Sequence, residues 1–387
     1  MFMRLDNLMM RGESRNRHFL LLQERKRGVR LGYRTSVAIV GFAHGHVNLY
    51  CEEWYDRPEL GIKVVAGWDH DESRLRTAKE KFGFESYNDL DEMLAREDVG
   101  AVIIAAETSM HADLVERAAA QGKSVVLQKP IALTLSEADR IVAAVRQHGV
   151  PFTMAWQMRV DPQNVKMKQM LDSGELGQVF MVRRRHGLGA GLQPAFADTW
   201  HVDPAYNRDI WADDSAHPID FIHWLLGVPD TITAEVESLF NPRIPMDNGI
   251  AIFRYGGGKG LLAEVNCSFT CLAGENTTEI VCERGTIVQN YGDAVSCNAK
   301  PEDATAGLRW YTSDTSAWTT SEITSPPAHG HRIRGLAEPL ADFLNGKREP
   351  LATAEEGRTS LRMVLATYVS SREGRRVRLD DPAIEEV

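Results

Sequence analysis

Three side chains in this sequence have the types and settings that proton transfer requires. Lys129 lies in Gln128-Lys129-Pro130, directly after the apolar run Ser124–Leu127. The proline holds Lys129 in extended backbone and stops the strand. The ammonium is thereby fixed at the carboxyl end of a strand, the edge where open α/β sheets bind ligands. A lysine after a strand is usually a solvated charge, and only its place in the sheet raises this one above that. Asp213 and His217 are four residues apart in Asp213-Asp214-Ser215-Ala216-His217-Pro218. At the start of an α-helix that spacing sets both on one face, close enough to hydrogen-bond. An imidazole held by a carboxylate is a general base near neutral pH. A histidine near a helix start also caps and packs, so a structural role for His217 stays open. For Asp220 and Trp224, one turn on, the structural role is preferred.

A second set of residues has the chemistry of a dinucleotide seat. Gly41-Phe42-Ala43-His44-Gly45-His46 follows the β-branched run Ser36–Val40. A dinucleotide fingerprint places glycine at a tight turn, at the approach to the pyrophosphate and at the helix–strand crossing. Those places hold Gly41, Ala43 and His46, so either the helix sits further out or Gly45 takes over the close approach. A glycine turn after a strand is by itself most often only a turn; here it opens a series of βαβ units. The second strand ends at Asp69, whose carboxylate can accept from both adenosine ribose hydroxyls and would repel a 2′-phosphate. NAD is therefore expected, with NADP less favoured, since Arg74 is the only cation nearby to anchor a phosphate. Asp69 and Asp71 can equally cap the next helix. Histidines recur at 44, 46, 111, 201, 217 and 223, but no pair has the HxxxH spacing of one helix face, and no metal is expected.

The elements that must position these groups are legible from periodicity. Short apolar strands at Ser36–Val40, Ile62–Gly67, Gly100–Ala106, Ser124–Leu127 and Val150–Ala155 alternate with helices at Val47–Tyr55, Asp71–Phe82, Leu90–Arg96, Met110–Gln121 and Ser136–His148. That order predicts a doubly wound parallel sheet, a Rossmann domain over residues 35–155. From Pro162 the texture changes. A helix over Asn164–Ser173, a strand over Val179–Arg185, a loop from Gly187 to Trp211 and a helix over Asp214–Leu226 precede several strand-like runs between 232 and 289. Residues 156–387 are expected to form an α+β domain with an open, mainly antiparallel sheet, for an α/β chain of two domains.

Bulk composition narrows the partners. A formal charge of −10 disfavours phosphate backbones, so no nucleic acid is expected. The longest apolar run, Ala101–Ala106, is far short of a bilayer span, so no membrane is expected. Five cysteines without a CxxC pair fit reduced thiols in a cytoplasmic protein. Residues 1–34 differ from the rest: they are net +6 against −16 for the remainder. Three acids in this arm count against a transit peptide, and a basic N-terminal extension without chemistry is expected.

With these residues in hand, the chain resembles the Gfo/Idh/MocA family of sugar and cyclitol dehydrogenases from about Thr35 onward. Gln128-Lys129-Pro130 is similar to the family's Glu-Lys-Pro turn, and Asp213 with His217 to its Asp-x-x-x-His pair. Arg159-Val160-Asp161-Pro162 is similar to its Arg-Phe-x-Pro segment. The resemblance implies hydride transfer between a sugar, cyclitol or sugar-acid carbinol and the nicotinamide. It implies His217 as base, Lys129 on the same oxygen and Asp213 as positioner, with Arg159 beside the substrate. It places Gly41, Phe42, Ala43, His44, Asp69, Ala106, Glu107, His111, Gln128 and Lys129 around the cofactor, and a dimer or tetramer formed through the second sheet. Four departures stand out: His46 for a glycine, Gln128 for glutamate, Ala106-Glu107-Thr108 for Thr-Pro-Asn, and Arg208-Asp209 for Gly-Gly. The last two imply an altered pocket. Two other functions remain open on the same residues. A transient-oxidation glycosidase would release a leaving group with no net NADH, and a non-catalytic NAD-binding regulator would not need the Lys129, Asp213 and His217 relay.

Overall fold

Alternation along the first strand determines what each of its faces touches. In β1 (Thr35–Val40) Val37 and Ile39 enter one apolar cluster with Tyr50, Trp54 and Leu340, while Ala38 and Val40 enter another with Met93, Ile104 and Leu127. A strand buried on both faces is what a parallel sheet covered by helices requires. The computed structural model of the chain describes residues 35–257, 260–273, 276–291, 307–324, 326 and 329–387; the basic segment 1–34 lies outside them. Its first sheet is parallel, with β1 flanked by β2 (Ile62–Trp68) and β4 (Ala101–Ile104). With β3 (Glu85–Tyr87), β5 (Ser124–Leu127) and β6 (Phe152–Met154) the order is β3-β2-β1-β4-β5-β6. The short strand β3 was not anticipated, because three half-exposed residues carry no period.

Helices join these strands with legible ends. Helix Leu135–His148 begins in a reciprocal capping box between Thr134 and Glu137 and stops at Gly149, whose φ is +62°. Asp71 caps helix Glu72–Phe82 by accepting from Ser73 and Arg74 N–H.

The second sheet has nine strands among the described residues. β7 (Val179–Gly187) and the strand Leu261–Ser268 are parallel neighbours, and the remaining described pairs are antiparallel. Along β7, Val182, Arg184 and His186 face inward while Met181, Arg183 and Arg185 face outward. The inner face packs on helices Ala216–Leu226 and Ala354–Glu373, and the outer face carries exposed Met181, Ile250, Ile252 and Leu262. One segment departs from the linear division expected at residue 155. Ile333, Leu336, Leu340 and Leu351, assigned to the second domain, pack on the first sheet, and Trp54 Nε1 donates to Ala337 O at 2.8 Å. Among the described residues no helix is long and apolar enough to cross a membrane.

Candidate active site

The dinucleotide seat is built at the carboxyl end of β1. Gly41 has φ +85°, and a Cβ there would stand 2.5 Å from Ala106 Cα, so only glycine fits the turn. Phe42 N–H donates to Asp69 Oδ2 at 2.7 Å, which ties the turn to the end of β2. Helix His46–Asp56 follows with no side-chain cap, and its Val47 and Asn48 N–H groups turn back to His44 O and Gly45 O at 3.2 Å. A Cβ on Gly45 would meet nothing within 4 Å, so Gly45 does not take over the close approach and His46 is accommodated by a half-exposed position. This geometry suits a pyrophosphate over the turn, while the Asp69 side chain is enclosed and accepts from Phe42 and Asp71 N–H and from Arg74. Arg74 does not stand free for a 2′-phosphate: it bonds Asp69 Oδ1 at 2.8 Å and Glu107 Oε1 at 2.8 Å. Glu107 also meets His70 at 2.9 Å. Burial works to raise the Glu107 pKa, but its bonds to His70 and Arg74 outweigh that and lower it.

Lys129 leaves β5 at a turn whose Lys129–Pro130 peptide is cis. His111 holds this turn against the end of β4, with Nδ1 2.9 Å from Pro130 O and Nε2 3.2 Å from Ala106 O. Burial pushes the His111 pKa down to about 4. His111 was expected at the cofactor; fully buried, with each ring nitrogen facing a backbone carbonyl and one N–H to donate between them, it is a brace behind the seat. Gln128 is also turned away, because its side-chain amide donates to the buried Tyr50 hydroxyl. The carboxylate Lys129 meets is across the cleft: Nζ lies 2.9 Å from Asp213 Oδ1 and 3.2 Å from Asp213 O. Both side chains are about 3–4% exposed.

Asp213 sits in a π-helical turn, Trp211–Ser215, ahead of helix Ala216–Leu226. Asp209 Oδ1 pins that turn by accepting from Ala212 N–H at 2.9 Å and from Tyr368 OH at 2.6 Å, and Trp211 Nε1 donates to Thr367 at 2.9 Å. The wide turn alters which carboxylate faces which base. The α-helical spacing predicted an Asp213–His217 bond; instead Asp213 Oδ2 meets His201 Nδ1 at 2.9 Å, and Asp214 Oδ1 lies 3.7 Å from His217 Nε2. Asp214 Oδ2 is 3.6 Å from His186 Nε2. Two adjacent carboxylates thus each stand between two bases. Burial would raise the Asp213 pKa, but the charges of Lys129 and His201 and their hydrogen bonds hold it well below the usual carboxylate range. Asp214 is lowered in the same way, with His186 overcoming burial. His217 is 2% exposed, and Trp156 stands edge-on to it at 5.5 Å.

His44, on the cofactor turn, completes the group. Its ring lies edge-on to His46 at 4.3 Å and within about 6 Å of the Trp200 and His201 rings. Trp200 Nε1 donates to Ala43 O at 3.1 Å, joining the loop of the second sheet to the first. Sequence reasoning gave no role to His201, Asp214, His186 or Trp200. Asp214 carried a signal, its adjacency to Asp213; the loop residues carried none.

Two residue sets expected at the pocket are engaged elsewhere. Arg159 does not reach the cleft: it is 4% exposed, paired through Nε and Nη2 with Asp220 at 2.9 and 2.8 Å, and Nη1 bonds Leu351 O and Glu356. Burying a guanidinium demands this many acceptors, so it locks helix Ala216–Leu226 to helix Ala354–Glu373. Arg208 donates to Leu133 O and Val387 O, and Asp209 caps the π turn, so neither remakes the pocket as expected. Among the described residues no group of three or more His, Cys, Asp or Glu is arranged to hold a metal.

Comparison with known proteins bears on this geometry. Residues 35–156 match the family model described as the oxidoreductase family, NAD-binding Rossmann fold, and residues 164–288 match the GFO/IDH/MocA C-terminal domain. D-apiose dehydrogenase of Paraburkholderia graminis is 29% identical over 364 residues, 88% of this chain and 89% of that protein. Inositol 2-dehydrogenase of Salmonella typhimurium is 33% identical over 169 residues, and the match spans only 43% of this chain and 47% of that protein. An oxidoreductase from Agrobacterium radiobacter, solved with NAD+, L-tartaric acid and magnesium, shares the fold at a TM-score of 0.74 and 23% identity, over 89% of this chain and 98% of that one.

Proposed function

Since the chain belongs to the Gfo/Idh/MocA family of oxidoreductases, with an NAD-binding Rossmann domain, we propose that it is a dehydrogenase of a sugar, cyclitol or sugar-acid hydroxyl. The observation that carries this reading is the meeting of Lys129, from the first sheet, with Asp213 and the neighbouring Asp214–His217 pair, from the second. Bound NAD supplies the hydride acceptor. Lys129 Nζ donates to the reacting oxygen and stabilises the negative charge that develops there. His217 Nε2 takes the hydroxyl proton, with Asp214 facing it to favour the imidazolium that results. Asp213 holds Lys129 aimed at that oxygen. Trp156, Trp200 and the buried setting of Lys129 and His217 keep water from the reacting centre. Dehydrogenase names among the relatives support the substrate class.

Asp69 and the engagement of Arg74 favour NAD over NADP. The exposed apolar side chains on the outer face of the second sheet favour assembly of two or four copies through that face. A screen of polyols, aldoses and sugar acids with NAD and with NADP tests the reading. NADH formation with at least one substrate, and a preference for NAD, is the expected result. A protein that binds NADH yet oxidises none of them would defeat it.

A further inference from the structure

One buried polar group in the cleft is not used by the chemistry above. The His44 ring is 2% exposed, and neither Nδ1 nor Nε2 has a hydrogen-bond partner. An orphaned buried polar group is destabilising, and such groups persist where something outside the folded chain satisfies them. The ring is not a loose surface side chain. His44 N–H donates to Ala105 O at 2.9 Å, and the Trp200 ring, anchored to Ala43 O, stands 6.0 Å from the imidazole. After burial, the groups that act on it electrostatically are His46, Lys129, His201 and His217. Its ring stands 6.1 Å from that of His201, whose Nδ1 meets Asp213, the carboxylate that also holds Lys129, so His44 borders the same cleft.

We propose that His44 binds the substrate, hydrogen-bonding a second hydroxyl of the polyol, on a carbon beside the one whose hydroxyl meets Lys129 and His217. The inference rests on the dehydrogenase reading and adds a specificity determinant to it. The ligand chemistry follows from the ring. Burial lowers the His44 pKa well below its ordinary value, and the neighbouring Lys129, His46, His201 and His217 act in the same direction. The imidazole is neutral at working pH, with one donor and one acceptor. A hydroxyl offers the matching acceptor and donor, whereas a carboxylate satisfies only half of the ring. A substrate lacking that hydroxyl leaves the imidazole unpaired inside a closed site, which is the arrangement that discriminates most strongly against the analogue. His44 thus makes the enzyme selective for vicinal diols over isolated alcohols.

The experiment compares the wild type with His44→Leu and His44→Gln. NADH affinity is measured by fluorescence titration, and kcat/KM is measured on the best substrate from the polyol screen and on its monodeoxy analogues. His44→Leu should lower kcat/KM on the full polyol by about ten- to a hundredfold and erase its preference over one particular deoxy analogue. NADH affinity should stay within about twofold, and His44→Gln, which keeps a donor and an acceptor, should restore most of the loss. Equal loss of NADH affinity with deoxy discrimination intact would assign the ring to the nicotinamide carboxamide and overturn the proposal. Unchanged kinetics in His44→Leu would overturn it as well. If the wild type oxidises no polyol, the dehydrogenase reading falls. The His44 proposal is then judged by the ring 15N chemical shifts of the NADH complex titrated with each polyol, where a His44 shift sustains it and none on any polyol refutes it.

Discussion

The Lys129–Asp213 contact is the joint on which the cleft depends, and its removal has a calculable consequence. At 2.9 Å, with the effective dielectric of about 20 that suits protein sites, the gross attraction is about 6 kcal/mol. Desolvation of two groups that are each about 3–4% exposed takes back much of that. The net worth of the pair is therefore small, but removing one member strands the other. Asp213→Asn leaves a buried ammonium, and Lys129→Met leaves a buried carboxylate with only His201 beside it. Each single variant should lose about 3–5 kcal/mol of unfolding free energy. The double variant strands nothing, so it should lose at least about 3 kcal/mol less than the sum of the two. Equilibrium urea unfolding followed by tryptophan fluorescence reads this double-mutant cycle, with far-ultraviolet circular dichroism as the check on two-state behaviour. Additivity within about 0.5 kcal/mol would mean that the two side chains do not meet and that the cleft is not assembled as described.

Three further outcomes follow from particular residues. Gly41→Ala should abolish NADH binding in fluorescence titration, because φ is +85° and the new methyl would overlap Ala106; near-normal affinity would contradict the turn geometry. Arg159→Ala should destabilise the protein by about 3–5 kcal/mol while the folded enzyme keeps its KM; a raised KM with unchanged stability would return Arg159 to the substrate site. Burial raises the Asp209 carboxyl to about 6, above an unfolded value near 4, so the folded state holds its proton more tightly. That contribution is fully present at acid pH and is lost as pH rises through 6. Asp209→Asn should accordingly gain on the wild type by about 3 kcal/mol between pH 3 and pH 7.5, whereas a difference in unfolding free energy that does not vary with pH would refute the shift.

The first sheet was legible because its strands are short β-branched runs ended by glycine, proline or aspartate, and burial on both faces leaves that pattern plain. Lys129 was legible for the same reason: a proline after a strand fixes where the side chain must stand. Asp213 and His217 come to one cleft, but each faces a partner other than the one their spacing predicted. The α-helical spacing assumed for them gives way to a π turn, and that turn is held by Asp209–Tyr368 and Trp211–Thr367, contacts more than 150 positions apart in the chain. No local pattern encodes such anchors. Arg159 was misplaced for a related reason. An arginine beside a pocket and one saturated by Asp220, 61 residues on, read alike until the partner is seen. His201 lies in a loop of short 3-10 turns without periodicity, so only the fold brings it to Asp213. Nothing local in helix Ala337–Leu344 names the surface it covers, which is the first sheet.

The central claim is that Lys129 and His217 perform the proton work of an NAD-dependent oxidation. It is tested most directly by single-turnover oxidation of the best polyol by the wild type, Lys129→Met and His217→Gln, each saturated with NAD and monitored by NADH absorbance. Both variants should bind NADH yet form it about 10²- to 10⁴-fold more slowly than the wild type. Wild-type rates in either variant would contradict the claim.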